Sequence, residues 1–259
     1  MSSSSDSEAK VFFYLCAGVI FGVIGFFRGF GLRTKKKLIE NIPTSTVRAA
    51  AMGLVEIKGT ARKFRGTVRT PFSKAESVFY HYKVEEYRSS GKSGHWVTLK
   101  EFSTPEWFYL EDETGKILIN PVNAELYLNA DRKYQLGAFG SGKDPQVFEQ
   151  GLTELGIDPH GFLNIDKQLR CTETYVVPGD PVYIMGTAVK NPLVELAATG
   201  SENLCVQKEG DTFFCISDES EKDLLASMAW QMCLFLYGGP ILTVTCLFFL
   251  IEHYLKHSF

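Results

Sequence analysis

Two long apolar runs, one near each end of the chain, constrain this sequence more than any other feature. The first, residues 11–27, reads VFFYLCAGVIFGVIGFF and contains no charged residue. At about 1.5 Å per residue it would form a helix about 25 Å long. The second run, residues 226–251, is also uncharged and is long enough to cross a bilayer core of about 30 Å. We therefore predict one transmembrane helix over residues 11–32 and another over residues 224–251.

Each apolar run has an alternative interpretation. The first could be a cleaved signal peptide, but such peptides begin with a basic segment, and residues 1–9 contain no lysine or arginine. The second could be the core helix of a soluble domain, but such a helix normally keeps a polar stripe toward water. The run ASMAWQMCLFLYGGPILTVTCLFFLI is apolar on every face. Two membrane spans fit both runs better.

Basic residues are concentrated on one side of the first span. Only Lys10 precedes the uncharged run, whereas five basic residues follow it: Arg28, Arg33, Lys35, Lys36 and Lys37. Lysine and arginine close to a span tend to stay on the cytoplasmic side. We therefore predict a multi-pass membrane protein, in the cell membrane if the source is prokaryotic, with both termini outside and the intervening domain in the cytoplasm. Beside a span, such a basic run indicates lipid headgroups as partners and not nucleic acid.

The remaining chain divides into tails, a linker and one soluble domain. We predict short tails over residues 1–10 and 252–259, and a basic linker with a short helix, capped by Thr44 or Ser45, over residues 33–52. The soluble domain covers residues 53–220. Three of the six cysteines lie in this domain, an odd number without a disulfide pattern, which agrees with a reducing compartment.

Alternating polar and apolar residues predict that the soluble domain is rich in strands. Residues 78–87 and 96–102 should form one hairpin, and a second should turn at residues 113–115. Residues 145–155 form the one clear helix, with Asp144 as its N-cap. Later strands are expected at residues 169–177, 182–188, 204–208 and 212–217. The predicted fold class is a β-rich α+β domain, either barrel-like or made of packed antiparallel sheets, between two transmembrane helices.

A short internal repeat lies within this domain. The segment IKGTARK at residues 57–63 recurs as IMGTAVK at residues 184–190. A true duplication would predict two related β-units packed together. The alternative is two unrelated strands with similar bulges.

Motifs for catalysis, cofactors or metals are incomplete. GAFGSGKD at residues 137–144 resembles a phosphate-binding loop, but Asp144 stands where such a loop needs serine or threonine. His253 and His257 are four residues apart but have no third ligand nearby. We therefore predict no catalytic residue, no cofactor and no metal site.

Aromatic residues offer the best candidates for contact with a partner. Five of them lie in or near the predicted hairpins: Tyr80, Tyr82, Tyr87, Trp96 and Trp107. Tyrosine and tryptophan are enriched among residues that dominate binding energy, and exposed strand edges accept peptides as added strands. The alternative for these side chains is ordinary core packing.

Three segments carry a resemblance to a known family. They read GLVEIKGTAR, RTPFSKAESVFYHYKVEEY and FYLEDETGKILINPVNAEL, in that order, with a tryptophan-containing strand before the third. This succession resembles the GIDE domain, also called BAM for beside-a-membrane, of the MAPL-type RING E3 ubiquitin ligases and their archaeal relatives. The resemblance covers about residues 53–188 together with the flanking spans. It implies a protein related to ubiquitin ligases.

The sequence departs from those ligases after the second span. There the ligases carry a zinc-binding RING finger, whereas EHYLKHSF follows here. The ligases also place the domain in the intermembrane space, whereas the basic flank here predicts the cytoplasm.

We therefore predict a non-catalytic interaction or regulatory module at the membrane, with an unidentified protein partner. That partner could belong to a ubiquitin-like system, and the chain could form homo-oligomers. The alternative is a ligase or ligase subunit that uses a RING from another chain.

A channel would require oligomers, because neither uncharged run offers an ionisable residue to line a pore.

Overall fold

The computed structural model describes residues 2–91, 93–137, 142, 144–160, 167–193 and 203–258, with side chains described from residue 9 to residue 253 except residue 90. The chain divides into two compact units. Residues 1–42 and 221–259 form a helical unit, and residues 43–220 form a β-rich unit. The predicted fold class, a β-rich domain between two long apolar helices, is confirmed.

Three α-helices are described, namely α1 (Ser2–Asn41), α2 (Pro145–Glu154) and α3 (Glu221–Ser258). Helix α1 continues without a break through the basic residues, so it is longer than the predicted span of residues 11–32. The stretches Ala9–Asn41 and Glu221–His253 are long and apolar enough to cross a membrane. Only 6% of the most apolar window of each is buried. A core helix would be mostly buried, so the alternative of a soluble core helix is disfavoured.

Glycines allow α1 and α3 to pack closely in antiparallel orientation. A Cβ added at Gly22 would lie 2.6 Å from the carbonyl oxygen of Gly239. One added at Gly18 would meet the sulfur of Cys246 at 2.5 Å, and one at Gly29 would meet the backbone nitrogen of Leu236 at 2.9 Å. Small residues at such crossings let two helix backbones approach each other.

Fourteen strands are described in the β-rich unit. In chain order they are β1 (Thr44–Ser45), β2 (Gly53–Lys63), β3 (Val68–Arg69), β4 (Glu76–Ser77), β5 (Phe79–Ser90), β6 (Ser93–Ser103), β7 (Phe108–Asp112), β8 (Gly115–Ile119), β9 (Glu125–Tyr127), β10 (Arg132–Leu136), β11 (Leu169–Val176), β12 (Pro181–Lys190), β13 (Leu204–Gln207) and β14 (Cys215–Ser217). Both predicted hairpins are confirmed, as β5–β6 and β7–β8.

Five of these strands close into a barrel. The ring runs β2–β7–β8–β13–β12, and it closes because β12 also pairs with β2. Alternate residues of each strand point inward, so Ile57, Leu110 and Ile117 are among the buried side chains of one continuous core. Strand β1 extends the sheet beside β2, and β14 and β9 extend it beside β12.

The internal repeat lies on the two barrel strands that pair with each other. Ile57 of β2 and Ile184 of β12 are direct partners at the centre of an antiparallel pair. Both copies contain a glycine at the same position because a neighbouring group approaches the backbone closely there. A Cβ at Gly59 would lie 2.6 Å from the Glu111 carbonyl oxygen, and one at Gly186 would lie 2.5 Å from the Phe214 ring. The strands that follow the two copies have different pairing patterns. Strand β8 pairs with β7 and β13, whereas β14 pairs with β12 and β9.

A second sheet has the order β10–β11–β5–β6, with every pair antiparallel. One face, which we call the inner face, is covered by α2 and by the loop that carries Phe72. The side chains of Phe72, Phe148 and Leu152 are fully buried there against Val84 and Leu136. The opposite face, the outer face, is formed by the alternate residues of β5, β6 and β11.

Two details of the predicted helices were wrong. No α-helix follows Thr44 or Ser45; these residues form β1 instead, and a single 3₁₀ turn at Val47–Ala49 follows them. Helix α2 begins after Asp144 as predicted, but this residue has a φ of 56° and its side chain makes no capping hydrogen bond.

The phosphate-loop candidate at residues 137–144 lies largely outside the described residues.

Candidate interaction surface

The outer face of the second sheet carries a compact group of aromatic and charged side chains. Trp96 on β6 lies opposite Tyr87 on β5, and their ring centroids are 5.4 Å apart at 63°. The guanidinium carbon of Arg170, on β11, lies 4.1 Å from the Trp96 ring centroid. We call Glu85, Tyr87, Trp96 and Arg170 the Trp96 cluster.

An ion pair fixes the position of Arg170 in this cluster. Its Nε donates a hydrogen bond of 2.6 Å to the carboxylate of Glu85, its direct cross-strand partner. This hydrogen bond is the main cause of the lowered pKa of Glu85. A guanidinium that is stacked on an indole and paired with a carboxylate is held in one geometry. The cluster is therefore organised before any partner binds.

A glycine allows Tyr87 to lie flat across β6. A Cβ at Gly94 would be 2.2 Å from the Tyr87 hydroxyl oxygen. The tyrosine ring therefore occupies the space of the missing side chain. About 36% of Tyr87 stays exposed, so the cluster presents aromatic surface to solvent.

Beside the cluster, a polar group continues the outer face. His81 Nδ1 lies 2.9 Å from the Ser103 hydroxyl oxygen, and its Nε2 lies 3.6 Å from a carboxylate oxygen of Glu101. Burial lowers the pKa of His81 and outweighs the opposite effect of Glu101, while Lys83 lowers it further. These side chains supply hydrogen-bond donors and acceptors next to the aromatic surface.

Strand β6 forms an edge of the second sheet. Among the described strands only β5 pairs with it. A bulge interrupts this pairing, because Val84 opposes Lys100 whereas Glu85 opposes Thr98, so Leu99 has no partner residue. Leu99 and Phe102 are about 36% and 41% exposed. An edge with exposed apolar side chains is a template for strand addition.

The structure separates the five aromatic residues predicted for contact. Tyr87 and Trp96 form the Trp96 cluster, and Tyr80 is partly buried at the other end of β5. Tyr82 points to the inner face, is 3% exposed and packs against Phe72, so its predicted contact role is not compatible with this fold. Trp107 is partly buried and directly precedes barrel strand β7, outside the second sheet.

Sequence reasoning did not find Arg170 or Glu85. Arg170 is distant in sequence from Trp96, and the pattern of β11 gives no signal that this residue meets an indole. Only the register of β11 against β5, in which Arg170 opposes Glu85, brings it there.

Metal ligation has no support in the described part of the chain, where no group of three or more His, Cys, Asp or Glu side chains is arranged to hold an ion. Cys171, Cys205 and Cys215 of the β-rich unit are buried and form no disulfide among the described residues. Burial raises the pKa of Cys205 to about 11, and it also raises the pKa of Cys171, with the charge of Glu173 adding to the effect. A raised pKa keeps the thiols of Cys171 and Cys205 protonated at neutral pH, which makes these two side chains poor ligands and nucleophiles.

A protein-family model decides where the chain belongs. The model GIDE, described as E3 ubiquitin ligase, matches residues 79–249, about two thirds of the chain. The chain belongs to the GIDE family. No curated protein and no solved structure matches it.

The GIDE match relates directly to the elements described above. It begins at Phe79, the first residue of β5, and ends at Phe249 within α3. It therefore includes the whole second sheet with the Trp96 cluster, barrel strands β7, β8, β12 and β13, and most of one apolar helix. The GIDE match supports a domain related to E3 ubiquitin ligases, in agreement with the resemblance seen in the sequence.

Proposed function

We propose that this GIDE-family chain is a membrane-anchored interaction module whose β-rich unit recruits a protein partner. The observation that carries the proposal is the Trp96 cluster, where tryptophan, tyrosine and arginine meet on an exposed sheet face beside an open strand edge. These three residue types dominate binding energy at protein interfaces. The module itself does no chemistry in this proposal; it holds a partner close to the bilayer.

Anchoring is the first part of the proposal. Helices α1 and α3 expose large apolar side chains such as Phe21, Phe27 and Phe248 along their lengths. Such a surface is favourable in the hydrocarbon core of a bilayer. The basic residues after the first apolar run support a cytoplasmic location of the β-rich unit in this proposal. Protease treatment of sealed vesicles tests this orientation. Digestion of residues 43–220 only from the cytoplasmic side supports it, and digestion only from the outside contradicts it.

Partner recruitment is the second part. The aromatic surface of Tyr87 and Trp96 would contact apolar groups of the partner, while the exposed β6 edge would pair with an extended segment. The neighbouring His81, Ser103 and Glu101 would fix the orientation through hydrogen bonds. A second copy of the chain is one possible partner, and its cross-linked product would have twice the mass of the chain.

The test compares two aromatic sites in the full-length protein. Trp96→Ala removes the centre of the cluster. Tyr109→Ala is the matched control, because Tyr109 also packs on an aromatic ring, that of Phe64 at 5.3 Å, and on a lysine, Lys116 at 4.9 Å, but lies on the barrel. Cross-linking in native membranes should lose its main product with Trp96→Ala and keep it with Tyr109→Ala. Equal products in both variants would contradict the proposal.

A ligase role is the second candidate, because the matching family model is described as E3 ubiquitin ligase. In this alternative the chain acts as a ligase or ligase subunit and uses a RING supplied by another chain. Purified components distinguish the two functions. Ubiquitin transfer that depends on this chain would establish the ligase role, whereas transfer that is unchanged by adding it would favour the non-catalytic module.

A further inference from the structure

A cavity of about 280 Å³ opens between α1 and α3 at the end of the first apolar run. Its lining is formed by Arg28, Gly31, Leu32, Lys35, Gln231 and Phe235. Arg28 and Lys35 are seven residues apart, so they lie on one face of α1, two turns from each other. Gln231 and Phe235 are four residues apart and face them from α3.

Two glycines explain why the cavity exists at this level. At Gly29 the helices touch, since a Cβ there would lie 2.9 Å from the Leu236 backbone nitrogen. At Gly31 a Cβ would meet no atom within 4 Å. The close approach at one glycine and the missing side chain at the next leave an open space between the helices.

The cavity coincides with the boundary between apolar and polar sequence. Arg28 directly follows Phe27, the last residue of the uncharged run. On α3, Trp230 precedes Gln231 and is 72% exposed. Tryptophan is enriched at the headgroup level of membranes. Both helices therefore place the cavity at the depth of the lipid headgroups.

The charge of the lining is positive. Two cationic side chains and one amide surround the space, and none of the six lining residues is acidic. The guanidinium carbon of Arg28 lies 6.0 Å from the Phe235 ring centroid, so apolar and cationic surface adjoin each other. The neighbouring Lys36 does not line the cavity and pairs with Glu40 on its own helix.

We infer that this cavity binds the phosphate of an anionic phospholipid. Arg28 and Lys35 would neutralise the phosphate, with arginine offering two parallel N–H donors, and the amide of Gln231 would donate a further hydrogen bond. Leu32 and Phe235 would contact the glycerol and the first acyl carbons. Basic pockets between transmembrane helices bind headgroups in this way. The inference rests on the membrane anchoring in the proposed function.

The test measures lipid retention by the full-length protein. Protein is reconstituted in phosphatidylcholine nanodiscs containing phosphatidylglycerol as the minor lipid, and retained lipid is counted by native mass spectrometry. Arg28→Gln should lower phosphatidylglycerol retention roughly fivefold, the effect of one cation near the membrane surface. Gly31→Leu should lower it as much by filling the cavity without changing the charge. Arg33→Gln, an equal charge change at an exposed site outside the lining, should leave retention unchanged.

Three results with the variants or with a soluble competitor would overturn the inference. One is an equal loss in Arg28→Gln and Arg33→Gln, which would indicate a diffuse charge effect. Another is normal retention in Gly31→Leu. The third is displacement of phosphatidylglycerol by soluble glycerol 3-phosphate, which would assign the cavity to a free phosphate ester.

Alkaline carbonate extraction of the same variants separates the two proposals. Extraction of the wild-type chain would contradict anchoring, whereas firm insertion without a preference for phosphatidylglycerol would contradict only the headgroup site.

Discussion

Glu173 links strand β11 to the loop that carries Phe72. Substituting Glu173 tests how much this link contributes to the stability of the second sheet's core. Its side chain on β11 is fully buried. One carboxylate oxygen accepts the backbone N–H of Phe72 and the other accepts that of Ser73, both at 3.0 Å. Phe72 in turn packs against Phe148 of α2, with ring centroids 5.6 Å apart. Glu173 therefore fixes the loop that covers the inner face.

The substitution Glu173→Leu should destabilise the β-rich unit strongly. It removes two hydrogen bonds to a charged acceptor, worth about 1.5–3 kcal/mol each, and leaves the buried N–H of Phe72 without an acceptor. We expect a loss of about 3–5 kcal/mol from the free energy of unfolding, which totals about 5–15 kcal/mol for a typical domain. For a domain of this size, Tm should fall by about 6–20 °C.

Thermal unfolding of the full-length protein in mild detergent, followed by tryptophan fluorescence, measures this change. Glu101→Leu is the control, because it removes a half-exposed carboxylate from the outer face of the same sheet. Its cost should stay below about 1 kcal/mol. A Glu173→Leu variant that unfolds within about 2 °C of Glu101→Leu would refute the role assigned to the buried carboxylate.

Three further predictions concern other parts of the chain. The buried thiols of Cys171 and Cys205 should not react with a thiol reagent in the folded protein and should react on denaturation; rapid labelling without denaturant would contradict their burial. Burial alone would raise the pKa of Asp112, but hydrogen bonds from Thr114, Val47 and Gly115 outweigh it and leave the pKa lowered. Its stabilisation is therefore present above the unfolded-state pKa of about 4 and is lost as the pH falls through the folded-state value. Asp112→Asn should unfold at a lower temperature at pH 7 and show a weaker dependence on pH between about 5 and 3, and an unchanged acid profile would refute this. Gly22→Leu should disrupt the α1–α3 pair, because its Cβ would meet the Gly239 carbonyl at 2.6 Å; disulfide trapping of cysteines introduced near the crossing should fail, whereas Gly31→Leu should leave it intact.

Local sequence patterns predicted the elements of this fold well. The β7–β8 hairpin follows from two short apolar strands around residues 113–115, and the two long helices follow from uncharged runs. Closure of the barrel did not follow, because it depends on β2 pairing with β12 across more than a hundred residues. The repeated IKGTARK and IMGTAVK segments lie on these two paired strands, but a sequence repeat alone does not predict that its copies are adjacent in the fold.

The candidate surface was predicted by residue type and only partly by position. Alternation along β5 separates Tyr82 from Glu85 and so defines two faces, but it does not say which face is covered. Helix α2 and the Phe72 loop cover the face of Tyr82, and this packing depends on tertiary contacts. Arg170 was missed for a similar reason, since only the β11–β5 register brings it to Trp96.

The most direct test of the account places a photo-cross-linker at Thr98, which is exposed on β6 and faces Glu85 across the strand pair. The full-length protein is irradiated in native membranes with the cytoplasmic side accessible. We predict a discrete protein adduct that disappears when Trp96→Ala is added and persists with Tyr109→Ala. Adducts to lipid alone, or a protein adduct indifferent to Trp96, would contradict recruitment through this surface.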